Sequence, residues 1–287
     1  MAEIVESPPR WDAGLRLLGG LHYLVLTGRA SWDRAAHVLV EEREFLRRFV
    51  AEQRVQTNEV QRCWALLPCF LEAARQLDAT TIDLIELGTS AGLLLFWDRY
   101  GYQYEAGEWG PPDARLELKG EERGRVTGDL LGRELTVRGR VGIDLEPVDV
   151  TTDDGALLLK SFVWADRTDR IERLERAIES LREHRPEIVQ GDFVELLPAL
   201  LERRRRDGLT IVLQIAAAGY LDKGGWEGLG SALEAGGGQG RLAYVFAGHP
   251  EPLSHMHWGL WLTTWPGGER TQLAYADFHG AWLDWRL

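Results

Sequence analysis

The 287-residue chain carries 33 Lys and Arg against 45 Asp and Glu, a formal net charge of −12. A surface that acidic opposes nonspecific attachment to nucleic-acid phosphates or anionic membrane, and no apolar run approaches the roughly 18 residues a membrane helix needs. The length suits one large domain or about two average ones, with a full core.

Cys63 and Cys69 fall six residues apart in a helical stretch, pointing about 120° away from each other, so they cannot pair there and a reducing compartment is expected. The opening MAEIVESPPRWD has an early acid and no basic-then-apolar pattern, which predicts no signal peptide and a cytoplasmic protein. Only Lys119, Lys160 and Lys223 are lysines, so arginine is the default cation, and the run Arg203 to Arg206 reads as a helix end.

Residues 11 to 80 read as helices. Ser31 is placed to cap one in which Val38, Phe45, Leu46, Phe49 and Val50 recur at helical spacing. Gln56, Thr57, Asn58 and Glu59 open a second, with Asn58 and Gln61 in the pattern of a capping box and Pro68 a predicted kink. These polar residues either start the helix or close over a site.

Thr81 to Tyr100 organises the chain. Ile82, Leu84, Ile85 and Leu87 predict a buried strand, and Leu93 to Trp97 a largely buried helix. Between them lie Gly88, Thr89, Ser90, Ala91 and Gly92, a turn of small residues that would aim N–H groups and a positive helix end at a ligand. The dinucleotide fingerprint needs a glycine where Leu93 stands, which argues against NAD. Glu86, near the strand's carboxyl end, suits a ligand ammonium or a ribose hydroxyl.

Tyr100, Tyr102 and Tyr104 alternate on one strand face, as core packing or as a substrate wall. Residues 105 to 140, rich in Gly, Pro and charge, read as an inserted hairpin or lid. A second strand through Val141 and Ile143 ends at Asp144, which is placed to accept ribose hydroxyls or else to form an acidic turn before Pro147. The 50-residue gap from the glycine turn exceeds the usual 20 or so, and the insertion accounts for it.

A helix capped around Thr152 or Asp153 runs to Trp164, and another from about Arg167 to Glu183. Ile188 to Gln190 predicts a third strand; Asp192 then either caps the next helix or meets an adenine amino group, with Phe193 against the ring. Thr210 to Ala216 is the fourth strand, interrupted by Gln214, which serves either the fold or a reaction centre. Leu242 to Ala247 is the fifth, and Trp258 to Ala276 an antiparallel hairpin about Pro266-Gly267-Gly268. His249, Glu251, His255 and His257 follow strand five. His255 and His257 would share a strand face, yet no carboxylate or Cys stands at a standard companion spacing, so no metal is expected; His249 or Glu251 is the better general base or substrate contact.

In this order QTNEVQR (56 to 62), ELGTSAGL with DRY (86 to 100), GIDLEPVDV (142 to 150), FVWAD (162 to 166), GDFVELLP (191 to 198) and WPGGER (265 to 270) resemble the bacterial family of domain of unknown function 2332, nearly end to end. The resemblance implies an α/β fold with a Rossmann-like, class I methyltransferase-type sheet, mostly parallel with a C-terminal antiparallel hairpin. An N-terminal helical cap would occupy 1-80 and the α/β domain 81-287. It implies S-adenosylmethionine as cofactor, with Glu86, Gly88, Ser90 and Gly92 around its methionine part, Asp144 at the ribose, and Asp192 with Phe193 at the adenine. Asn58, Glu59, Tyr100 and Trp164 are the substrate or lid candidates, and Gln214, His249 and Glu251 the catalytic ones. Leu94 and Gln214 depart from the family pattern of Asn and His at those places. The expectation is methyl transfer to a small molecule; the alternative is a noncatalytic nucleotide-binding or S-adenosylmethionine-binding module acting through a partner.

Overall fold

The computed structural model describes residues 12–182 and 184–287. The signal-peptide reading of the opening segment and the helix end expected at Glu183 lie outside the described residues. In chain order the helices and strands begin with α1 (Ala13–Leu26), α2 (Ala35–Glu41), α3 (Arg43–Glu52) and α4 (Arg62–Gln76). Next come β1 (Thr81–Leu87), β2 (Gly101–Tyr104), β3 (Gly107–Trp109), β4 (Glu117–Lys119), β5 (Glu121–Gly124), α5 (Gly128–Leu131) and β6 (Thr136–Asp144). The second half holds α6 (Asp153–Ser161), α7 (Thr168–Arg182), β7 (Glu187–Gln190), α8 (Phe193–Arg203), β8 (Leu209–Gln214), α9 (Lys223–Gly237), β9 (Leu242–Gly248), β10 (Trp258–Trp265), β11 (Glu269–Ala276) and β12 (Trp282–Trp285).

The described residues divide into two compact units, 12–58 with 148–182, and 59–147 with 184–287. In the first, Leu17, Leu21 and Leu24 of α1 recur at helical spacing and are buried with Val38, Leu46 and Val50. The helix expected after Ser31 is broken into a 3-10 turn, α2 and α3, and the Ser31 side chain caps nothing. Arg16 and Asp12 form a buried ion pair at 2.9 Å, and Arg16 also donates to the Val50 carbonyl. Thr152 caps α6 as expected, accepting the Gly155 N–H.

The second unit is built on a nine-stranded sheet in the order β5-β12-β11-β10-β9-β8-β1-β6-β7. The run from β7 to β9 is parallel, and β10, β11 and β12 follow as an antiparallel meander. This is the expected α/β class with a mostly parallel sheet and a C-terminal hairpin. The hairpin gains a further strand, β12, and the insertion supplies β5 at its outer edge. The rest of the insertion contributes to a small sheet β3-β2-β4. The last residues of the stretch 105 to 140, expected as a hairpin or lid, instead belong to β6, which begins at Thr136.

Helix α4 starts at Arg62, not at Asn58: Gln61 is the cap position, and its N–H is taken by the Glu59 carboxylate at 3.1 Å. The helix packs on β8, β9 and β10 and is buried along nearly its whole length. On the opposite face Phe193, Leu197 and Leu201 of α8 and Leu229 and Leu233 of α9 meet Ile85, Leu87, Val212, Tyr244 and Phe246. Alternation along β1 therefore sends Ile85 and Leu87 to the α8/α9 side and Glu86 to the other.

Candidate functional site

The chain leaves β1 for β6 and β7 on one side, then returns to place β8 and β9 on the other. Ligands of doubly wound sheets bind outside the carboxyl ends of the strands at such a reversal. Leu87 lies level with Ile143 of β6 and Gln214 of β8, so the turn after β1 and the acids of its neighbours meet at that edge.

Glu86 is only 4 % exposed. Burial pushes its carboxyl up to about 8; the hydrogen bond from Thr89 opposes the shift, the charge of Asp144 adds to it and Arg62 works against it. At neutral pH the group is therefore mostly protonated, which suits a hydroxyl partner better than the ammonium expected of an ionised acid. Thr89 Oγ1 donates to Glu86 Oε2 at 2.6 Å. Sequence reasoning passed over Thr89, although a hydroxyl three residues after a buried strand acid was a readable signal.

Asp144 accepts the Ser90 N–H at 2.8 Å on Oδ2 and the Glu146 N–H at 2.9 Å on Oδ1. Its peptide oxygen takes the Gly191 N–H at 2.9 Å, which ties the β6 tip to the segment leading to Asp192. Asp192 caps α8, accepting the Val194 N–H at 2.7 Å. Glu86, Ser90, Asp144 and Asp192 are thus gathered at the ends of three adjacent strands. Phe193 is not presented there: its ring is buried in the core between the sheet and α8.

The turn itself differs from the expectation. The N–H groups of Gly88 and Thr89 both donate to the Ile143 carbonyl, Ser90 to Asp144, and Gly92 to the Thr89 carbonyl. They serve the protein's own acceptors, and the expected α-helix is a seven-residue 3-10 segment, Leu93–Arg99, without an α-helical macrodipole. Gly88 and Gly92 have φ of 74° and 78°, so glycine is required by the backbone. A Cβ on Gly88 would lie 2.3 Å from Ala217 Cβ, and one on Gly92 3.0 Å from Pro186. Leu94 is buried in the core with its neighbours.

Tyr100 is buried and its hydroxyl donates to the Leu93 carbonyl at 2.8 Å. Glu59 is buried against the start of α4. Gln214 is fully buried, 3.4 Å from the Tyr244 hydroxyl. Asn58 and Trp164 belong to the helical unit, where Asn58 is buried and Trp164 is exposed.

His249 and Glu251 stand apart from the acids, lining a cleft of about 1240 Å³ that opens at Ile215 and Ala216 beyond β8 and runs over Tyr244 and Phe246 of β9. His249 and His255 meet ring to ring at 5.7 Å. Among the described residues no three His, Cys, Asp or Glu side chains converge as metal ligands. The cleft also holds Arg270, a residue that sequence reasoning read only as part of the hairpin turn.

The sheet order and its reversal at β1 define the class: an α/β protein with a mostly parallel, Rossmann-like sheet and a C-terminal antiparallel meander. The chain belongs to the bacterial family described as "Uncharacterized protein conserved in bacteria (DUF2332)", whose profile matches residues 1–285. No curated protein matches it. Among solved structures it is similar to a S-adenosylmethionine-dependent methyltransferase from Clostridium acetobutylicum ATCC 824, at 9 % identity over 81 % of this chain and 74 % of that one. The TM-score of 0.27 is too low for any residue of that protein to be matched to one here. No helix among the described residues is long and apolar enough to cross a membrane.

Proposed function

We propose that this protein binds S-adenosylmethionine across the carboxyl ends of β1, β6 and β7 and methylates a small molecule. The observation that carries the reading is the placement of Glu86, Asp144 and Asp192 at three successive strand tips beside the topological reversal. The donor set fits an adenosine. Each Asp144 oxygen accepts one backbone N–H, and a carboxylate has about four acceptor positions, so both oxygens keep capacity for ribose hydroxyls. Asp192 is exposed with one oxygen on Val194, leaving the other for an adenine amino group. Because Ala217 occupies the space above Gly88, recognition rests on the acids more than on the turn backbone.

When bound, S-adenosylmethionine supplies a methyl group already activated by its sulfonium. The chain's task is then to hold the acceptor and exclude water. His249 and Glu251 are proposed to face that acceptor, since they line the cleft that begins one residue beyond Gln214. A second reading, a noncatalytic module acting through a partner, is favoured by the closed face of Gly88.

Calorimetric titration and thermal shift with S-adenosylmethionine, S-adenosylhomocysteine, NAD and ATP test the reading. The true ligand stabilises the fold by RT ln(1 + [L]/Kd). Asp144→Ala is expected to weaken S-adenosylhomocysteine by roughly 1 to 3 kcal/mol, with Asp144→Asn intermediate because it keeps one acceptor. A response to NAD alone, or undiminished affinity in a folded Asp144→Ala, would defeat it. Donor binding without methyl consumption across a metabolite panel would favour the module.

A further inference from the structure

Arg270 stands out in the cleft beside α9. Its guanidinium lies over the Trp261 ring at 4.2 Å and over Phe246 at 4.9 Å. No carboxylate pairs with it, and no protein acceptor takes one of its N–H groups, among the described residues. In a chain of net charge −12 this is an exposed cation seated over two rings without a carboxylate partner. The planar fork of a guanidinium matches a carboxylate with two parallel hydrogen bonds. Contact with the rings places the guanidinium at the cleft before any ligand arrives.

The rings provide the second feature. Tyr244 and Phe246 stack at 4.7 Å with 15° between their planes, and Phe246 is near-parallel to Trp261 at 13°. Tyr244 and Phe246 both line the cleft, as does Trp226 from α9. The half-exposed Trp226 and the edges of the buried Tyr244 and Phe246, beside one cation, select a flat apolar body with an anionic end. Register gives the direction. Arg270 is level with Thr263, and Thr263 with Tyr244, whereas His249 follows Gly248 at the carboxyl end of β9. Five residues separate those levels, roughly 16 Å at about 3.3 Å each. The acidic lining groups do not cancel the cation: Glu234 accepts the Trp265 indole N–H at 3.2 Å, and Glu251 lies at the far, histidine end.

We propose that this cleft binds a planar aromatic carboxylate, its carboxylate on Arg270, its ring system along the cleft between Trp226 and the exposed edges of Tyr244 and Phe246, and its other end toward His249. Naming that molecule as the methyl acceptor rests on the function proposed above; its binding does not.

The test is tryptophan-fluorescence titration of the full chain at pH 7.5 with naphthalene-2-carboxylate and, as the uncharged isostere, naphthalene-2-carboxamide. The carboxylate is expected to bind about ten-fold or more tightly than the amide. Arg270→Gln should erase that preference while leaving amide affinity within about two-fold, and Arg270→Lys, which keeps the charge but loses the fork, should retain part of it. Arg270 is exposed, and far-ultraviolet circular dichroism of both variants checks the fold. Equal affinity for the two probes, a preference that survives Arg270→Gln, or no binding of either at millimolar concentration would overturn the proposal. S-adenosylhomocysteine, titrated separately, divides the two readings. If it fails to bind while the Arg270-dependent preference holds, the donor reading falls and the anion cleft stands; the converse result removes the cleft alone.

Discussion

Glu86 illustrates how one buried acid couples site and stability. In the fold its carboxyl titrates near 8 because burial disfavours the charge, whereas in the unfolded chain it ionises near the ordinary 4.5. Below about 4.5 both states hold the proton and the group is neutral to stability. As pH rises toward 8 the unfolded chain releases its proton first, so folding loses on the order of a few kcal/mol from this residue. Glu86→Gln keeps an acceptor for Thr89 and cannot ionise. We expect urea midpoints of the wild type to fall between pH 5 and pH 8.5 by more than those of Glu86→Gln; parallel pH profiles would show that the carboxyl is not held neutral. The alternating tyrosines also resolve at this scale. Tyr100, Tyr102 and Tyr104 are all buried, and their hydroxyls donate to the carbonyls of Leu93, Trp97 and Trp64. Of the two readings, core packing is what the structure displays.

Leu93 to Arg99 is the element whose form departs most from its periodicity. Five successive apolar side chains, Leu93 to Trp97, are all buried, and the segment kinks at Phe96, whose φ and ψ are −102° and 23°. Arg140 of β6 braces it. The guanidinium grips Asp98 through two nitrogens at 2.8 and 3.0 Å, donates to the Leu95 carbonyl at 3.1 Å and covers the Phe96 ring at 4.7 Å. The pair is mostly buried, at 16 % exposure each, so removing one partner strands the other. Arg140→Ala should cost about 2 kcal/mol and Arg140→Lys should recover less than half, because an ammonium cannot reproduce the fork. Native-state hydrogen exchange localised to residues 93 to 99 checks this; loss of protection spread evenly over the sheet would not fit a local brace.

Across the whole molecule, the insertion supplies one edge strand of the large sheet. β5 pairs parallel with β12, with Glu121 opposite Trp282 and Gly124 opposite Asp284, and Arg123 covers the Trp282 ring at 4.1 Å. Backbones approach so closely there that a Cβ on Gly124 would sit 2.2 Å from the Trp285 carbonyl oxygen. Gly124→Ala should therefore destabilise by roughly 1 to 3 kcal/mol and expose the β12 edge. The check is accelerated exchange confined to residues 121 to 124 and 282 to 285. Exchange unchanged at those residues would mean that the edge tolerates separation.

The five parallel strands, the hairpin, the acids at strand ends and the Thr152 cap were all legible from residue order. Each depends on neighbours a few positions away: alternation for strands, hydroxyls and small residues for caps and turns. The pairing of residue 121 with residue 282 was not, since it joins segments that meet only once the chain has folded. Gly88 marks the same boundary within the site. Its left-handed backbone needs glycine for local reasons, but only tertiary packing decided that the space beside it holds Ala217. Arg270 likewise gains its meaning from two rings on β9 and β10, which residue order separates and the sheet brings beneath one guanidinium.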